Sequence, residues 1–337
     1  MSHKNDDLFD SFLKRGWVPN WNKHPKTSPL EMVIIEPRDL PELPYVLCNM
    51  SCLLPYACLT IIHSNRNKHV FHELIPDIEQ TNIKLLNILP DNLTRDEYSK
   101  LMTSVDLWGN ILSSERILIF QCDSGMRYND ILRYMHYDFI GAPWPWTVRG
   151  DHRIYMGNGG FSLRNREMMK KICELSEFSI DKYESEDIFF ASHIIDFEDA
   201  VLPTKEIASN FSVEYIPHHN PMGFHQAWRY YSREYVQKIL KENLDPISCI
   251  NTNNIEILDA AVMTINNNKL VCNNLIDLLR LGIGSAGLRI SNDTYIPYKN
   301  DYPGIQKVLV FTFIQNDTIS ICKAYLNKKQ IQENIIL

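Results

Sequence analysis

The chain lacks most of what would mark a membrane, secreted or nucleic-acid-coating protein. No apolar run in its 337 residues approaches the roughly 20 needed to span a bilayer. The stretch from Met1 to Asp7 has none of the apolar character of a signal peptide, so a cytoplasmic protein with no membrane span is expected. Positive charge is in deficit: 34 Lys and Arg against 41 Asp and Glu give a net charge of -7, which argues against a nucleic-acid partner held by bulk electrostatics. The eight cysteines include no C-x-x-C pair and lie in mostly apolar segments, so reduced and largely buried thiols are expected. Five Asn-x-Ser/Thr sequons, beginning at Asn49, Asn92, Asn210, Asn292 and Asn316, carry no functional weight without secretion. There is no internal repeat and no heptad pattern. With 45% hydrophobic and 22% charged residues, what remains is an ordinary globular chain of about two domains.

Between about residue 30 and residue 121, β-rich runs alternate with helical patterns, the signature of β-α-β units and a largely parallel sheet. Strands are expected at Met32 to Glu36, Ala57 to His63, Ile83 to Leu89 and Arg116 to Gln121. Thr94 and Glu97 form a capping box, and Tyr98, Leu101, Met102, Val105, Trp108 and Leu112 follow at the spacing of one core-facing helix. From Tyr137 to Trp228 the texture changes to short strands and loops rich in Gly, Pro, Trp and His, broken by a helix capped at Asn165. A helix is expected from Ser232 to Asn243 and a linker around Asp245 to Asn254. The organisation is therefore an N-terminal extension (1–29), an α/β domain (30–245) and a small, mostly β module (255–337) with runs at Ala260 to Ile265, Lys307 to Phe313 and Ile319 to Tyr325.

Four places could carry chemistry. Asp123 follows the strand Arg116-Ile-Leu-Ile-Phe-Gln121, and ligands of open α/β sheets gather at the carboxyl ends of strands. A carboxylate there can hold Mg²⁺ or Mn²⁺ against a diphosphate, or it can simply cap the next turn. In Met156-Gly157-Asn158-Gly159-Gly160-Phe161, three glycines in four positions mean close approach, of backbone N–H groups to a ligand or of a tight turn to itself. This is no P-loop, because the Lys-Ser/Thr ending is missing, and the spacing fails the dinucleotide fingerprint. Trp144 and Trp146 could face a sugar ring, or could pack beside their prolines. Glu186 and Asp187 precede an apolar run, where one could be a general base or both could serve the helix dipole. In His218-His219-Asn-Pro-Met-Gly223-Phe-His225, an imidazole could join Asp123 on a metal.

Taken in order, F-Q-C-D-S, Y-D-F-I-G-A-P-W, G-N-G-G-F-S-L-R, E-S-E-D-I-F-F and G-F-H-Q-A-W resemble a family of glycosyltransferase-like proteins known mainly as a domain of unknown function, with members in bacteria and in giant DNA viruses of amoebae. V-I-I-E-P-R from Val33 and I-H-S-N-R-N from Ile62 extend the resemblance to about residues 30–230. It implies a GT-A-like α/β fold: a Rossmann-like, mostly parallel sheet flanked by helices that binds a nucleotide-sugar, and a looped half for a glycan or glycoprotein acceptor. In metal-dependent relatives with this order of parts, an acidic motif ends a strand and is followed by a Gly-rich strand, a Glu-Asp pair and a late His. Mapped here, the resemblance makes Asp123 and His225 ligands to Mn²⁺ or Mg²⁺ and Asp187, or else Glu186, the catalytic base of an inverting transfer. The donor side would comprise Glu36, Arg38, His63, Asn67, Gln121, Ser124, Gly157, Asn158, Gly159 and Gly160, and the acceptor side Trp144, Phe161 and Trp228. Gln121 stands where the relatives carry a first Asp, so a single carboxylate faces the metal. If the source is viral, the compartment implied is the host cytoplasm or a virus factory. The C-terminal module loosely resembles small β-rich accessory domains, through Leu288 to Asn292 and Tyr302 to Lys307, which implies glycan binding or homo-oligomer formation. The rival reading is a non-catalytic glycan or nucleotide-sugar binding protein on the same fold.

Overall fold

Mostly apolar runs rich in Ile, Leu and Val become the buried centre of a sheet in the computed structural model of the protein. It describes residues 5–150 and 154–241 and, beyond them, 256–264, 269–270, 275–284, 287–290, 307–315, 318–327, 330–331 and 335–336. After helix α1 (Asp6–Leu13), strand β1 (Leu30–Ile35) is buried along its whole length, as expected of a strand covered on both faces. Three crossovers follow: α2 (Leu43–Leu53) to β2 (Cys58–His63), α3 (Lys68–Leu74) to β3 (Lys84–Asn87), and α4 (Arg95–Met102) to β4 (Arg116–Phe120). β1 pairs in parallel with β2 and β4, and β2 with β3. The chain then forms β5 (Ser124–Met126), β6 (Phe139–Gly141) and β7 (Phe161–Asn165), of which β7 adds to β4, and β6 to β7, in the antiparallel sense. The sheet order is β3-β2-β1-β4-β7-β6. Growth of the sheet reverses between β1 and β4, which opens a crevice at their carboxyl ends. The α/β architecture with a mostly parallel sheet is therefore as the sequence implies.

Helices α5 (Arg166–Leu175), α6 (Ile180–Tyr183), α7 (Glu186–Ile194) and α8 (Lys205–Phe211) precede β8 (Ser212–Val213), β9 (Gly223–His225), α9 (Ala227–Tyr230) and α10 (Arg233–Lys241). Asn165 caps α5 by accepting from the backbone N–H groups of Glu167 and Met168. The expected helix from Thr94 to Leu112 is broken. The capping box forms, but α4 stops at Met102, and Leu107–Ile111 is a π-helical turn that lets the Trp108 indole donate to the Met102 carbonyl at 2.6 Å. Burial of one large side chain outweighs helical continuity there, and Val105 turns outward.

The N-terminal segment belongs to the core. Phe9 stacks on Trp228 with ring centroids 3.7 Å apart, Phe12 meets Phe224 edge-on, and the Trp228 indole donates to Asp6.

In the C-terminal part, β10 (Glu256–Thr264), β11 (Lys269–Leu270), β14 (Lys307–Gln315), β15 (Thr318–Asn327) and β16 (Gln330–Ile331) make one antiparallel sheet, while β12 (Ile283–Gly284), β13 (Gly287–Ile290) and β17 (Ile335–Ile336) make another. Between β11 and β12 lies α11 (Leu275–Leu281), a helix the β-pattern reading missed. It buries four leucines, and Asn129 Nδ2 donates to its Leu281 carbonyl at 2.7 Å, tying this part to the α/β body. The expected linker from Asp245 to Asn254, the sequon at Asn292 and residues 302–306 of the second C-terminal motif lie outside the described residues. Cys48, Cys58, Cys122, Cys173 and Cys322 are free thiols, but Cys52 is disulfide-bonded. For Cys52 that corrects the expectation of reduced cysteines, which rested on the lack of a C-x-x-C pair. Among the described residues, no helix is long and apolar enough to cross a membrane.

Candidate active site

Strand register builds the site. β5 runs antiparallel to β9 with Ser124 opposite His225, and β8 runs parallel to β9 with Val213 opposite Phe224. One step along each strand, this small sheet delivers Asp123, His225 and Glu214 to a common point beside the end of β4. His225 Nε2 lies 3.2 Å from Asp123 Oδ1, and its Nδ1 lies 3.1 Å from Glu214 Oε1. Asn158 meets the same ring nitrogen as Glu214. Its Oδ1 accepts from the N–H groups of Gly160 and Phe161, which orients the amide so that Nδ2 donates to Glu214 at 2.6 Å and sits 2.9 Å from His225 Nδ1.

The glycines in this loop allow side chains of the protein itself to approach. A Cβ on Gly160 would come within 2.3 Å of the His225 ring, and one on Gly159 within 2.4 Å of Glu186 Oε1. Gly157 alone of the three has a positive φ, 140°, and it packs on the Phe139 ring.

Asp123 is clamped from its other side. Gln226 donates both its backbone N–H, to the Asp123 carbonyl, and its Nε2, to Oδ2 at 2.6 Å. It does so from a left-handed backbone (φ 50°) that a non-glycine residue adopts only at a cost. Arg229 Nη2 stands 3.7 Å from Asp123 Oδ2. Burial works to raise the Asp123 carboxyl, but the His225, Arg229 and Gln226 contacts outweigh it and hold it at about 2. Burial likewise pulls the His225 imidazolium down, and the two carboxylates reverse this and lift it to about 10.

Asp123 and Arg229 border a cleft of about 640 Å³ at the carboxyl ends of β1 and β4, whose lining also includes Glu36, Arg38, Tyr98 and Gln121. Glu36 receives a bidentate grip from Arg38, with Nε at 2.8 Å and Nη2 at 2.9 Å. Gln121 donates to the Tyr98 hydroxyl at 3.1 Å. Asp6, Phe9 and Asp10 of α1 and the edge of Trp228 close the remaining side.

Other expected site residues lie beneath this surface. Asn67 is wholly buried and braces the loops after β1 and β2 by donating to the carbonyls of Glu36 and Arg38; His63, also buried, bonds the Ser64 carbonyl. Ser124 turns back onto the Gln121 carbonyl. Trp144 and Phe161 are core residues, 2% and 0% exposed, so the acceptor surface expected of them is not there, and Trp228 is 3% exposed. Their large apolar area is worth more inside than at a wet surface. His218 and His219 lie against each other with their rings tilted by 43°, and His218 is bound through its backbone to the Tyr235 hydroxyl.

The acidic pair divides its work. Glu186 is buried in an ion pair with Arg164, Oε1 to Nη2 at 2.9 Å. Burial, with the adjacent Asp187 charge, raises its carboxyl against the pull of Arg164. Asp187 is half-buried. Its Oδ2 accepts from Gly159 N–H at 3.1 Å, and its Oδ1 accepts from Ile188 N–H and the Ser185 hydroxyl. Sequence reasoning did not single out Glu214, Arg164, Tyr98 or Arg229. Glu214 carries no motif of its own, and Arg164 could have been suspected only as a charge inside the alternating strand F-S-L-R-N.

A metal can be tested against this geometry. Among the described residues, no three His, Cys, Asp or Glu side chains gather as a ready-made ligand set. His225 Nε2 is nevertheless buried without a hydrogen-bond partner, because its contact with Asp123 is close but not aligned as a hydrogen bond. Neighbouring ligands of an octahedral cation with bonds of about 2.1 Å lie about 3 Å apart, so Nε2 and Oδ1 fit two such positions. The Nδ1 to Glu214 contact matches the outer hydrogen bond that metal-bound imidazoles ordinarily make.

Comparison with known proteins gives one family match and several distant structural likenesses. Residues 83–225 match the family described as protein of unknown function DUF5672, which takes in Asp123, the Gly-rich loop, Glu186, Asp187, Glu214 and His225. No curated protein matches the sequence. Solved structures similar to it include the glycosyltransferase GlyE of Streptococcus pneumoniae TIGR4, at 11% identity and a TM-score of 0.37, over 60% of this chain and 56% of that one. An active-site mutant of LgtC is similar at 13% identity and a TM-score of 0.39, over 62% of this chain and 99% of that one. A 4-diphosphocytidyl-2C-methyl-D-erythritol synthase of Anaerococcus prevotii aligns at 11% identity and a TM-score of 0.31, over 50% of this chain and 96% of that one. The chain thus spans little more than half the length of GlyE.

Proposed function

We propose that the protein is a GT-A-like glycosyltransferase that moves a sugar from a nucleoside-diphosphate sugar to a hydroxyl group of a glycan or glycoprotein, assisted by Mn²⁺ or Mg²⁺. The observation that carries the reading is the Asp123–His225 pair, 3.2 Å apart at the carboxyl ends of a parallel sheet, with Asp123 lining a cleft of about 640 Å³ and His225 buried against it. Asp123 and His225 would hold the cation, and Glu214 and Asn158 would keep the imidazole turned toward it. Bound there, the cation would supply Lewis-acid charge to a diphosphate leaving group. Arg229 adds positive charge beside Asp123, while Arg38 across the cleft is paired with Glu36. Asp187 is the better of the two carboxylates to take the acceptor proton, because Glu186 is committed to Arg164. With Asp187 as base, the transfer is a direct displacement that inverts the anomeric centre.

The test is release of nucleoside diphosphate from a panel of nucleotide-sugars with Mn²⁺. Turnover that falls by about 10²-fold or more in Asp123→Ala and Asp187→Ala supports the reading. Gln121, standing in place of a second carboxylate and tied to Tyr98, favours one rival, a nucleotide-sugar binding protein without turnover. Donor binding with no release in any combination would decide for that rival.

A further inference from the structure

Large aromatic side chains normally pack inside, so a connected row of them on the surface beside a polar cleft calls for a ligand. Trp146, Tyr215 and Tyr230 are 46%, 38% and 46% exposed, and they touch: Trp146 and Tyr215 have ring centroids 5.5 Å apart, Tyr215 and Tyr230 4.6 Å. Buried Trp144 stacks beneath Trp146 at 5.9 Å and 11°, so the outermost ring rests on a rigid base. None of the three rings lines the cleft itself, but two of them adjoin site residues along the chain. Tyr215 follows Glu214, which holds His225, and Tyr230 follows Arg229, which stands beside Asp123. Beyond its other end, Trp146 forms the lip of a groove of about 700 Å³ whose lining includes Lys182, Tyr183, Ser192 and His193. Flat apolar faces bordered by hydroxyl, amine and imidazole groups suit a ligand that offers C–H faces and hydroxyl edges together, which is the chemistry of a pyranose chain.

We infer that the row Trp146–Tyr215–Tyr230 is a saccharide-binding platform that seats the acceptor of the proposed transfer, with its hydroxyl end at Asp123 and its body running toward the groove behind Trp146. The inference rests on the transferase reading for the acceptor role, but not for the binding itself. It replaces the buried Trp144, Phe161 and Trp228 with a surface that can meet a ligand, and it makes the acceptor a glycan of more than one sugar unit.

The test uses the full chain on a printed oligosaccharide array, followed by titration of the best soluble oligosaccharide, with a panel of nucleoside diphosphates titrated separately in the presence of Mn²⁺. The wild-type protein should bind at least one oligosaccharide class. Trp146→Ala and Tyr230→Ala should each weaken that binding about two- to tenfold, the worth of one ring contact, while Tyr230→Phe keeps it and the affinity for whichever nucleoside diphosphate binds stays unchanged. All three side chains are exposed, and unchanged thermal unfolding would show that the variants fold. No array binding by the wild type, or equal binding by wild type and both alanine variants, overturns the platform. So does a dimer of the wild type that Trp146→Ala dissolves, since the row would then be a contact between copies. Oligosaccharide binding lost in the variants, together with no affinity for any nucleotide, would leave the platform standing and sink the transferase reading alone.

Discussion

His225 cannot hold a proton and a cation on the same nitrogen, and its environment makes this competition measurable. Two carboxylates flank the ring and lift the imidazolium to about 10 although it is buried. A cation that takes Nε2 must displace that proton, at about 1.4 kcal/mol for each unit by which the solution lies below that value. The apparent affinity for Mn²⁺ should therefore rise about tenfold per pH unit between about pH 6 and 8.5, with about one proton released per cation bound. Calorimetric titration in buffers of different ionisation heat measures both quantities under anaerobic conditions. Glu214→Gln removes one of the two carboxylates, so the slope should flatten at a lower pH than in the wild type. Affinity that changes less than about threefold over this range, or binding without proton release, would refute the assignment of His225 as a ligand.

Proton linkage also gives His225 and His24 opposite signatures in stability. His225, raised from 6.5 to about 10, contributes stability that is complete below pH 6.5 and disappears as pH climbs through about 10; Asp123, lowered from 3.8 to about 2, contributes above 3.8 and is lost as pH falls through about 2. His24, which burial lowers to about 4, folds neutral, so the chain should lose stability as pH drops from 6.5 toward 4, and His24→Asn should flatten that acid limb in urea titrations. Glu186→Ala leaves the fully buried Arg164 guanidinium between the Phe139 and Phe190 rings without its counter-charge and should cost about 3–5 kcal/mol in denaturant midpoints; a cost under about 1 kcal/mol would free Glu186 for a catalytic role. Gly160→Ala pushes a methyl into the His225 ring and should abolish cation binding in titrations while costing about 1–3 kcal/mol in stability.

Much of the sheet was legible because its signal is local. The runs predicted from residue 30 to residue 121 became β1 to β4 within one to two residues at their ends, and the Thr94 and Asn165 caps formed through short-range hydrogen bonds. The errors share a cause. Trp144, Phe161, Asn67 and His63 have types suited to binding, yet tertiary burial made them core or braces. The helix past Met102 yielded to the seating of Trp108, and α11 was hidden in a segment read for β patterns.

By itself, the sequence determined the alternation of strands and helices, the place of Asp123 at the end of a strand, and the glycines that permit close approach near it. Those features depend on the preferences of neighbouring residues. Only the tertiary structure decided that Glu214 stands behind His225, that Arg164 claims Glu186, that α1 walls the cleft and that Trp146, Tyr215 and Tyr230 meet at the surface. Each joins residues far apart in the chain, and the register of three short strands and the burial of large side chains are set by packing, which no local pattern encodes.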